Sequence, residues 1–283
     1  MNENSVSVVV CVKNVLPLLR ENLPHLRETL PATEIIVIDG NSTDGSAEFA
    51  AKYANRVISD QGRGLAYSRQ LGIENATCPF VAIVGPDNRV TPKLLDAMRK
   101  ALGKDAHLAA VAPLTHIVNP QTYWDRTTKN IFQLLINRPG PAEVVGTPCM
   151  FKRDILLNIP YDPSIRAAGD DTDVCLRLRQ AGYTLAIINE YTEEVLHQDF
   201  RMYLRRWQWY GKGDAEFYRK HRKNWTMERR LRSLMHPFRK YGVVAPLLFL
   251  RRGAAAYIPG LYVAVGARYF GWWARARELK HCD

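Results

Sequence analysis

Residues 35–38 place four apolar side chains directly before a turn rich in aspartate and glycine, and this junction constrains the fold most strongly. Four consecutive apolar residues predict a strand that is covered on both faces of a parallel sheet. Beyond the strand, residues 42–44 can cap a helix, while Gly40 and Gly45 allow turn geometry. Because ligands of open α/β sheets bind beyond the carboxyl ends of the strands, this turn is a candidate ligand site.

The turn differs from the two common phosphate-binding loops. It contains neither GxxxxGK[ST] nor GxGxxG, and its exposed charged groups are carboxylates. Carboxylates accept hydrogen bonds from hydroxyls and base N–H groups, and they bind metal ions. A sugar nucleotide offers all of these partners, so the turn suits such a ligand.

Strand-like runs alternate with helix-compatible segments through the first half of the chain. The runs are 6–12, 34–39, 56–59, 80–84 and 108–114, and the helical segments are 16–29, 46–54, 65–74 and 92–103. This alternation predicts an α/β fold with a mainly parallel sheet and helices on both faces. The second half predicts helices at 122–137 and 170–181 and strands at 144–151, 184–188 and 194–197. We expect one domain over residues 1–215 and a basic, amphipathic helical region over 216–283.

Composition narrows the class of protein. With 283 residues, 47% of them hydrophobic, the chain can bury a full core. Its five cysteines are scattered without CxxC spacing, so neither a zinc knuckle nor a disulfide framework is indicated. The polar N-terminus lacks the basic start of a signal peptide, and we expect a cytoplasmic protein.

The net charge of +11 hides a strong asymmetry along the chain. Residues 201–283 hold 19 Lys and Arg against 5 Asp and Glu, whereas the other 200 residues hold 20 against 23. Five of the six tryptophans lie in the same basic region. Basic residues interleaved with large aromatic side chains suit an anionic membrane surface. Nucleic acid is the competing partner, but the accompanying apolar runs favour lipid, and we expect no nucleic acid.

Two apolar runs in this region are too short or too interrupted to span a bilayer. Residues 241–250 are followed by two arginines, and residues 253–267 contain Pro259. The pattern predicts an interfacial or re-entrant helical pair, and thus a protein that associates peripherally with the cytoplasmic face of the membrane. An alternative stays open, in which the runs pack on the protein's own core or on a second copy in a homo-oligomer.

Four segments carry a family resemblance. They are IIVIDGNSTDGS at 35–46, GRGLAYSRQLGI at 62–73, FVAIVGPDN at 80–88 and AGDDTDVCLRL at 168–178. In this order they resemble the motifs of inverting family 2 glycosyltransferases of the GT-A fold, and the resemblance covers roughly residues 5–215. It implies a Rossmann-like GT-A domain that binds a nucleoside diphosphate sugar.

The resemblance assigns donor contacts to the first two motifs. The loop of Asn14 and the carboxylate of Asp39 would contact the base or ribose, and the alternative is that Asp39 merely caps its turn. Arg63 and Arg69 would meet a diphosphate or a carboxylate through paired hydrogen bonds. They could instead be solvated helix residues.

The third motif implies a divalent metal, Mn²⁺ or Mg²⁺, that bridges the donor diphosphate and is held by Asp87. One protein carboxylate with diphosphate oxygens and waters is an ordinary environment for Mg²⁺. Gly85 stands where the family has a first aspartate, and the vacated space suits Asn88 or water. His197 lies where many relatives carry a histidine that completes the metal site; a lone histidine can equally be structural.

The fourth motif implies the catalytic group. Asp171 falls on the family's general base, with Asp170 beside it in place of a glutamate. Three acids at a helix start are also good capping residues, and for Asp173 we favour an ordinary i,i+4 pair with Arg177.

A [QR]xxRW-like element follows at residues 203–207. Tyr203 replaces the usual Gln or Arg, so only Arg206 and Trp207 carry over. The resemblance implies that they help hold the diphosphate and wall the acceptor pocket.

Together these features predict a metal-dependent, inverting hexosyltransferase that acts on a lipid-linked or saccharide acceptor in polysaccharide or glycolipid synthesis. Two alternatives stay open. A sugar nucleotidyltransferase shares the βαβ architecture but usually carries a Gly-rich, basic first loop. A catalytically degenerate, membrane-bound subunit is suggested by Gly85 and Tyr203.

Overall fold

The computed structural model describes residues 5–280, and within that range nine strands form one sheet. The strands are β1 (Val6–Val12), β2 (Glu34–Asp39), β3 (Arg56–Ser59), β4 (Phe80–Val84), β5 (Asn88–Arg89), β6 (Leu108–Val118), β7 (Gly140–Pro141), β8 (Cys149–Lys152) and β9 (Thr184–Val195). Their order is β3-β2-β1-β4-β8-β6-β9-β5, with β7 paired to β9.

Eleven α-helices lie in the same described range. They are α1 (Leu16–Thr29), α2 (Ser46–Ala50), α3 (Leu65–Asn75), α4 (Pro92–Lys104), α5 (Tyr123–Ile131), α6 (Arg153–Asn158), α7 (Asp170–Gln180), α8 (Phe200–His221), α9 (Met227–Pro237), α10 (Ala245–Arg251) and α11 (Ile258–Lys280). A π-helical segment, Phe132–Ile136, continues α5, and another, Phe238–Val244, joins α9 to α10.

The sheet is mixed, whereas the sequence predicted a mainly parallel one. β3, β2, β1 and β4 are parallel, as the βαβ alternation requires. β8 then pairs antiparallel with both β4 and β6, and β9 pairs antiparallel with β5. Apolar runs reveal that a strand exists, but its direction is set by the connections between strands, which sequence periodicity does not contain.

Apolar helix faces cover both sides of the parallel strands, which confirms the prediction from residues 35–38. Val9, Ile36 and Ile38 pack in one core, with Ala66 and Ile73 of α3. The alternate strand residues pack in a second core with α1 and α4, among them Val8, Val10, Ile35, Val37, Leu19, Leu23, Leu94 and Met98. Burying each such side chain contributes roughly 1.5–3 kcal/mol.

One predicted strand pair is a single strand. The sequence predicted separate strands at 184–188 and 194–197, whereas β9 runs without interruption from Thr184 to Val195. The polar stretch that suggested a break alternates between exposed and buried residues, since Thr192 and Glu194 are buried while Tyr191 is exposed. Alternation of this kind is ordinary for a strand with one solvated face.

The chain forms two compact units. The first unit comprises the chain up to Thr115 with 138–164 and 171–195, and the second comprises 116–137, 165–170 and the chain from Leu196 onward. The expected division between residues 215 and 216 lies within the continuous helix α8.

The second unit has its own core, built around the contact of α8 with α11. Buried residues from the two C-terminal apolar runs take part, namely Ala245, Phe249, Ala254, Leu261, Ala264, Val265 and Ala267. For these residues the alternative of packing on the protein's own core is correct. Among residues 5–280, no helix combines the length and the apolarity that crossing a bilayer requires.

Glycines allow α8 and α11 to approach closely. A Cβ atom added to Gly211 would overlap the carbonyl oxygen of Arg268, and one added to Gly271 would overlap the carbonyl oxygen of Gln208. An ion pair flanks this contact, in which Arg268 donates to both oxygens of Asp214, at 2.5 and 2.8 Å.

We expect Gly211→Ala to destabilise the protein by about 1–3 kcal/mol, because the added methyl forces two packed helices apart. Gly266→Ala is the matched control on α11, where an added Cβ meets no atom within 4 Å. That variant should gain up to about 1 kcal/mol from helix propensity. Urea denaturation of the three proteins measures both effects, and equal midpoints would contradict the close helix contact.

Candidate active site

In the first unit, the parallel strands bring three loops to one edge of the sheet. Val12 of β1 lies beside Asp39 of β2, and Val10 lies beside Val84 of β4. The residues that follow these strand ends are therefore neighbours. This edge collects most of the predicted donor-binding residues.

Asn14 joins the loops after β1 and β2. Its side-chain oxygen accepts a hydrogen bond from the Thr43 N–H at 2.8 Å, and its own N–H donates to Ser42 Oγ at 2.9 Å. Asn14 has a left-handed backbone, with φ of 52°, which asparagine tolerates better than most residues. The side-chain oxygen and the backbone N–H of Asn14 thus both serve to hold the two loops together.

The side chain of Asp39 is buried, and only one of its two carboxylate oxygens has a hydrogen-bond partner among the described residues. Its side chain is held by the Ser42 N–H, which donates to Oδ2 at 3.0 Å. Oδ1 is buried and has no hydrogen-bond partner within residues 5–280. Leaving a buried acceptor unpaired costs roughly 1–3 kcal/mol, which a ligand N–H or O–H can recover. Simple capping of the turn does not account for this oxygen.

Asp60, which the sequence analysis did not single out, organises the next loop. It is 1% exposed, accepts the Gly62 N–H on Oδ1 at 2.6 Å, and accepts the Ser68 hydroxyl on Oδ2. The signal was available, because Asp60 follows β3 directly, as an acid beyond a strand. Arg63 in this loop is exposed and stacks on the ring of Tyr67 at 3.6 Å.

Arg69 and Asp171 form the central ion pair of the site. Arg69 Nη1 lies 2.5 Å from Asp171 Oδ1, with side chains 8% and 25% exposed. Arg69 Nη2 also donates to Thr147 Oγ1 at 2.8 Å, and the Tyr161 hydroxyl donates to Asp171 Oδ1 at 3.3 Å. The alternative that Arg69 is a solvated helix residue is wrong. A buried guanidinium needs such partners.

Gln70 of α3 supports the same cluster. Its side-chain oxygen accepts the Tyr161 N–H at 3.1 Å, so it fixes the segment that presents the Tyr161 hydroxyl to Asp171. Thr147 and Tyr161 were missed at the sequence level. They lie far from Arg69 in the chain, and no local pattern marks them.

The tip of β4 has no room for a side chain at Gly85. A Cβ there would overlap Asp87 Oδ1 and would lie 2.8 Å from Asn88 Oδ1. Asn88 is buried, and its Oδ1 accepts the Gly85 N–H at 2.9 Å. Asn22 of α1 secures the turn by donating to the carbonyl oxygen of Pro86 at 3.0 Å. The missing first aspartate is thus replaced by two oxygens that converge on the glycine.

These oxygens suit a divalent cation. A carboxylate and an amide oxygen are the hard ligands that Mg²⁺ and Mn²⁺ prefer, with ligand oxygens completing the coordination. Within the described part of the chain, no group of three or more His, Cys, Asp and Glu side chains could hold a metal ion alone. Asp87 and Asn88 therefore fit a metal shared with a diphosphate. His197 is exposed and belongs to the second unit.

Helix α7 shows which acids and thiols are structural. Asp173, 1% exposed, pairs with Arg177 at 2.7 Å, as the i,i+4 spacing predicted. Burial raises the pKa of the Cys175 thiol to about 12, which keeps it protonated at neutral pH. Cys175 is therefore no nucleophile.

In the second unit, Asp170 is 2% exposed and ends a tightly held segment. Glu216 of α8 accepts the N–H groups of Arg166 and Ala167 at 2.8 and 2.9 Å, and Arg275 of α11 donates to its other oxygen at 2.7 Å. A Cβ on Gly169 would lie 2.7 Å from the carbonyl oxygen of Gly213, so segment and helix touch through their backbones.

The second unit gives the [QR]xxRW-like element a packing role. Trp207 is 5% exposed and packs against Tyr203 and Tyr241, with ring centroids 6.1 and 4.8 Å apart. Tyr203 is fully buried and donates its hydroxyl to Gly260 O at 3.0 Å. The expectation that Trp207 walls a pocket differs from this arrangement, since its ring is core. Arg206 donates to the Tyr210 hydroxyl at 2.8 Å.

Comparison with known proteins shows which family the chain resembles. The family model "Glycosyl transferase family 2" matches residues 7–159, more than half of the chain. A cholesterol galactosyltransferase of Borreliella burgdorferi is 33% identical over 104 residues, which is 35% of this chain and 29% of that protein's length.

Solved structures agree on the fold. The mannosyltransferase PcManGT from Pyrobaculum calidifontis, in complex with GDP-Man and Mn²⁺, has a TM-score of 0.59 at 18% identity, covering 93% of this chain and 74% of that one. S. aureus TarS 1-349 in complex with UDP-GlcNAc has a TM-score of 0.56 at 13% identity, covering 99% and 92%. The motifs, the mixed α/β sheet and these matches together place the chain in glycosyltransferase family 2, as an enzyme with the GT-A fold.

Proposed function

We propose that this enzyme is a metal-dependent, inverting hexosyltransferase that uses a nucleoside diphosphate sugar. The observation that carries the proposal is the Asp171 carboxylate. Two donors, Arg69 and Tyr161, hold its Oδ1, while the side chain keeps 25% of its surface exposed. A fixed but accessible carboxylate is what a general base requires.

The donor argument rests on the strand ends of the first unit. Asp39 offers a buried, unpaired oxygen for a base N–H or a ribose hydroxyl, beside the loop of Asn14. The solved structures named above hold GDP-Man and UDP-GlcNAc, which are both nucleoside diphosphate sugars. Arg63 lies exposed at the next loop, where its charge attracts a diphosphate.

Asp87 and Asn88 would hold the metal. A divalent ion there would neutralise the charge that develops on the departing diphosphate. The structure of PcManGT in complex with GDP-Man and Mn²⁺ supports this assignment.

The transfer step follows from the Asp171 geometry. Arg69 and the Tyr161 hydroxyl both donate to Oδ1 of Asp171 and so orient the carboxylate. The carboxylate takes the proton of the acceptor hydroxyl as the acceptor oxygen bonds to the anomeric carbon. On the opposite face, the bond from that carbon to the diphosphate oxygen breaks and the nucleoside diphosphate leaves. A single displacement of this kind inverts the anomeric centre.

The proposal also covers the class of the acceptor and the place where the enzyme acts. The galactosyltransferase of Borreliella burgdorferi acts, by its name, on cholesterol, which is a lipid. We infer a lipid-linked or saccharide acceptor, and a peripheral position on the cytoplasmic face of the membrane. The excess of Lys and Arg in residues 201–283 supports attraction to an anionic surface.

We expect Asp171→Asn to lower transfer on the order of 10²-fold or more with donor affinity nearly unchanged, because the base acts on the acceptor. A matched control is Asp154→Asn, which removes an exposed carboxylate from α6 and should retain most of the activity. Release of nucleoside diphosphate measures turnover, and calorimetry measures donor affinity. Near-normal turnover of Asp171→Asn would exclude it as the base.

We expect Gly85→Ala and Asp87→Ala each to weaken metal-supported binding of UDP or GDP by about tenfold or more, since both displace the Asp87 oxygen. Gly103→Ala is the control, because an added Cβ there meets no atom within 4 Å. Titration with and without Mn²⁺ measures the effect. Full metal dependence in Asp87→Ala would show that the β4 tip does not hold the ion.

A further inference from the structure

The C-terminal part of the second unit exposes a concentration of large apolar side chains. Their exposed fractions range from 43% to 74%. We call this set the apolar stripe, and it consists of Met227, Leu231, Met235, Phe238, Val243, Val244, Leu247 and Leu250. Single exposed apolar residues are normal, but eight within 24 positions call for a partner.

The stripe follows helix faces. Met227, Leu231 and Met235 are spaced by four residues and therefore lie on one side of α9. On α10, Leu247 and Leu250 are exposed while Ala245 and Phe249 of the same helix are buried in the core. Each helix thus presents one apolar face outward.

The charged residues around the apolar stripe indicate what kind of partner it binds. Residues 227–252 contain seven Lys and Arg against a single Glu. Cores of protein interfaces are depleted in charged residues, and single-stranded nucleic acid sites stack bases on aromatic rings rather than on aliphatic side chains. Aliphatic side chains amid basic residues match the boundary between acyl chains and anionic headgroups.

We propose that the apolar stripe docks on the surface of an anionic phospholipid bilayer, with α9 and α10 lying in the interface. This inference rests on the membrane location given under the proposed function, and it names the element responsible. Tyr262, Phe270 and Trp273 of α11 are also exposed. Tyr257 does not belong to it, because its ring packs on Tyr123 with centroids 5.4 Å apart.

Point variants test the proposal better than truncation. Deleting residues 236–283 removes α11, whose Arg268 and Arg275 pair with Asp214 and Glu216 of α8. That deletion would unfold the second unit. Leu231 and Leu247 are 62% and 54% exposed, so polar substitutions there leave the core intact.

The experiment is flotation of the full chain, without nucleotide or acceptor, with phosphatidylcholine vesicles and with vesicles that also contain phosphatidylglycerol. The protein should float with the anionic vesicles, and Leu231→Glu and Leu247→Glu should each weaken partitioning by about tenfold or more. The matched control is Leu157→Glu on α6, a leucine that is 39% exposed in the first unit. It should float like the unaltered chain.

A second pair of variants tests the charge. Arg251→Gln with Arg252→Gln should weaken binding by about fivefold for each charge removed, whereas Arg20→Gln with Lys104→Gln should have little effect. Failure to float with any vesicle overturns the proposal, as does equal loss in Leu157→Glu. If the unaltered chain binds no vesicle but forms a dimer, and Leu231→Glu dissociates that dimer, then the apolar stripe contacts a second copy of the chain and the proposal is wrong. Donor hydrolysis, assayed without lipid, reports separately on the glycosyltransferase activity.

Discussion

Parallel pairing of β1 with β2 on one side and β4 on the other is the constraint on which the donor region depends. It places the ends of three strands at one edge, so that Asp39 at the end of β2 and Asp87 after β4 lie on either side of β1. Two apolar cores cover the two faces of these strands. A ligand can therefore contact the strands only at the polar turns that follow them. A rigid sheet holds these groups more precisely than loops could.

The charged groups of the site are held by a small number of close contacts. Arg69 is nearly buried and is matched by Asp171 and Thr147, because an unpaired guanidinium in this position would be strongly unfavourable. Asp39 is the exception, since its buried Oδ1 has no hydrogen-bond partner within residues 5–280. An unsatisfied group that is costly in the protein alone favours a ligand that satisfies it.

The second unit shows how one stretch of sequence can serve two purposes. Part of the C-terminal apolar runs enters a core in which Gly211 and Gly271 let α8 and α11 meet backbone to backbone. The residues of the apolar stripe, between Met227 and Leu250, are exposed amid arginines. Apolarity alone therefore does not distinguish a core residue from a surface residue. The helix face on which each residue lies makes that distinction.

The sequence by itself determined the strands β1 to β4, the helices between them and the strand-end acids, since these depend on local periodicity, capping and turn chemistry. Only the tertiary structure decided that β8 runs antiparallel to β4 and β6 and β9 antiparallel to β5, that Trp207 is a core residue, and that Arg69 holds Asp171. The last two residues are 102 positions apart. Contacts over such separations follow from how the elements pack, and no local pattern of residue types records that packing.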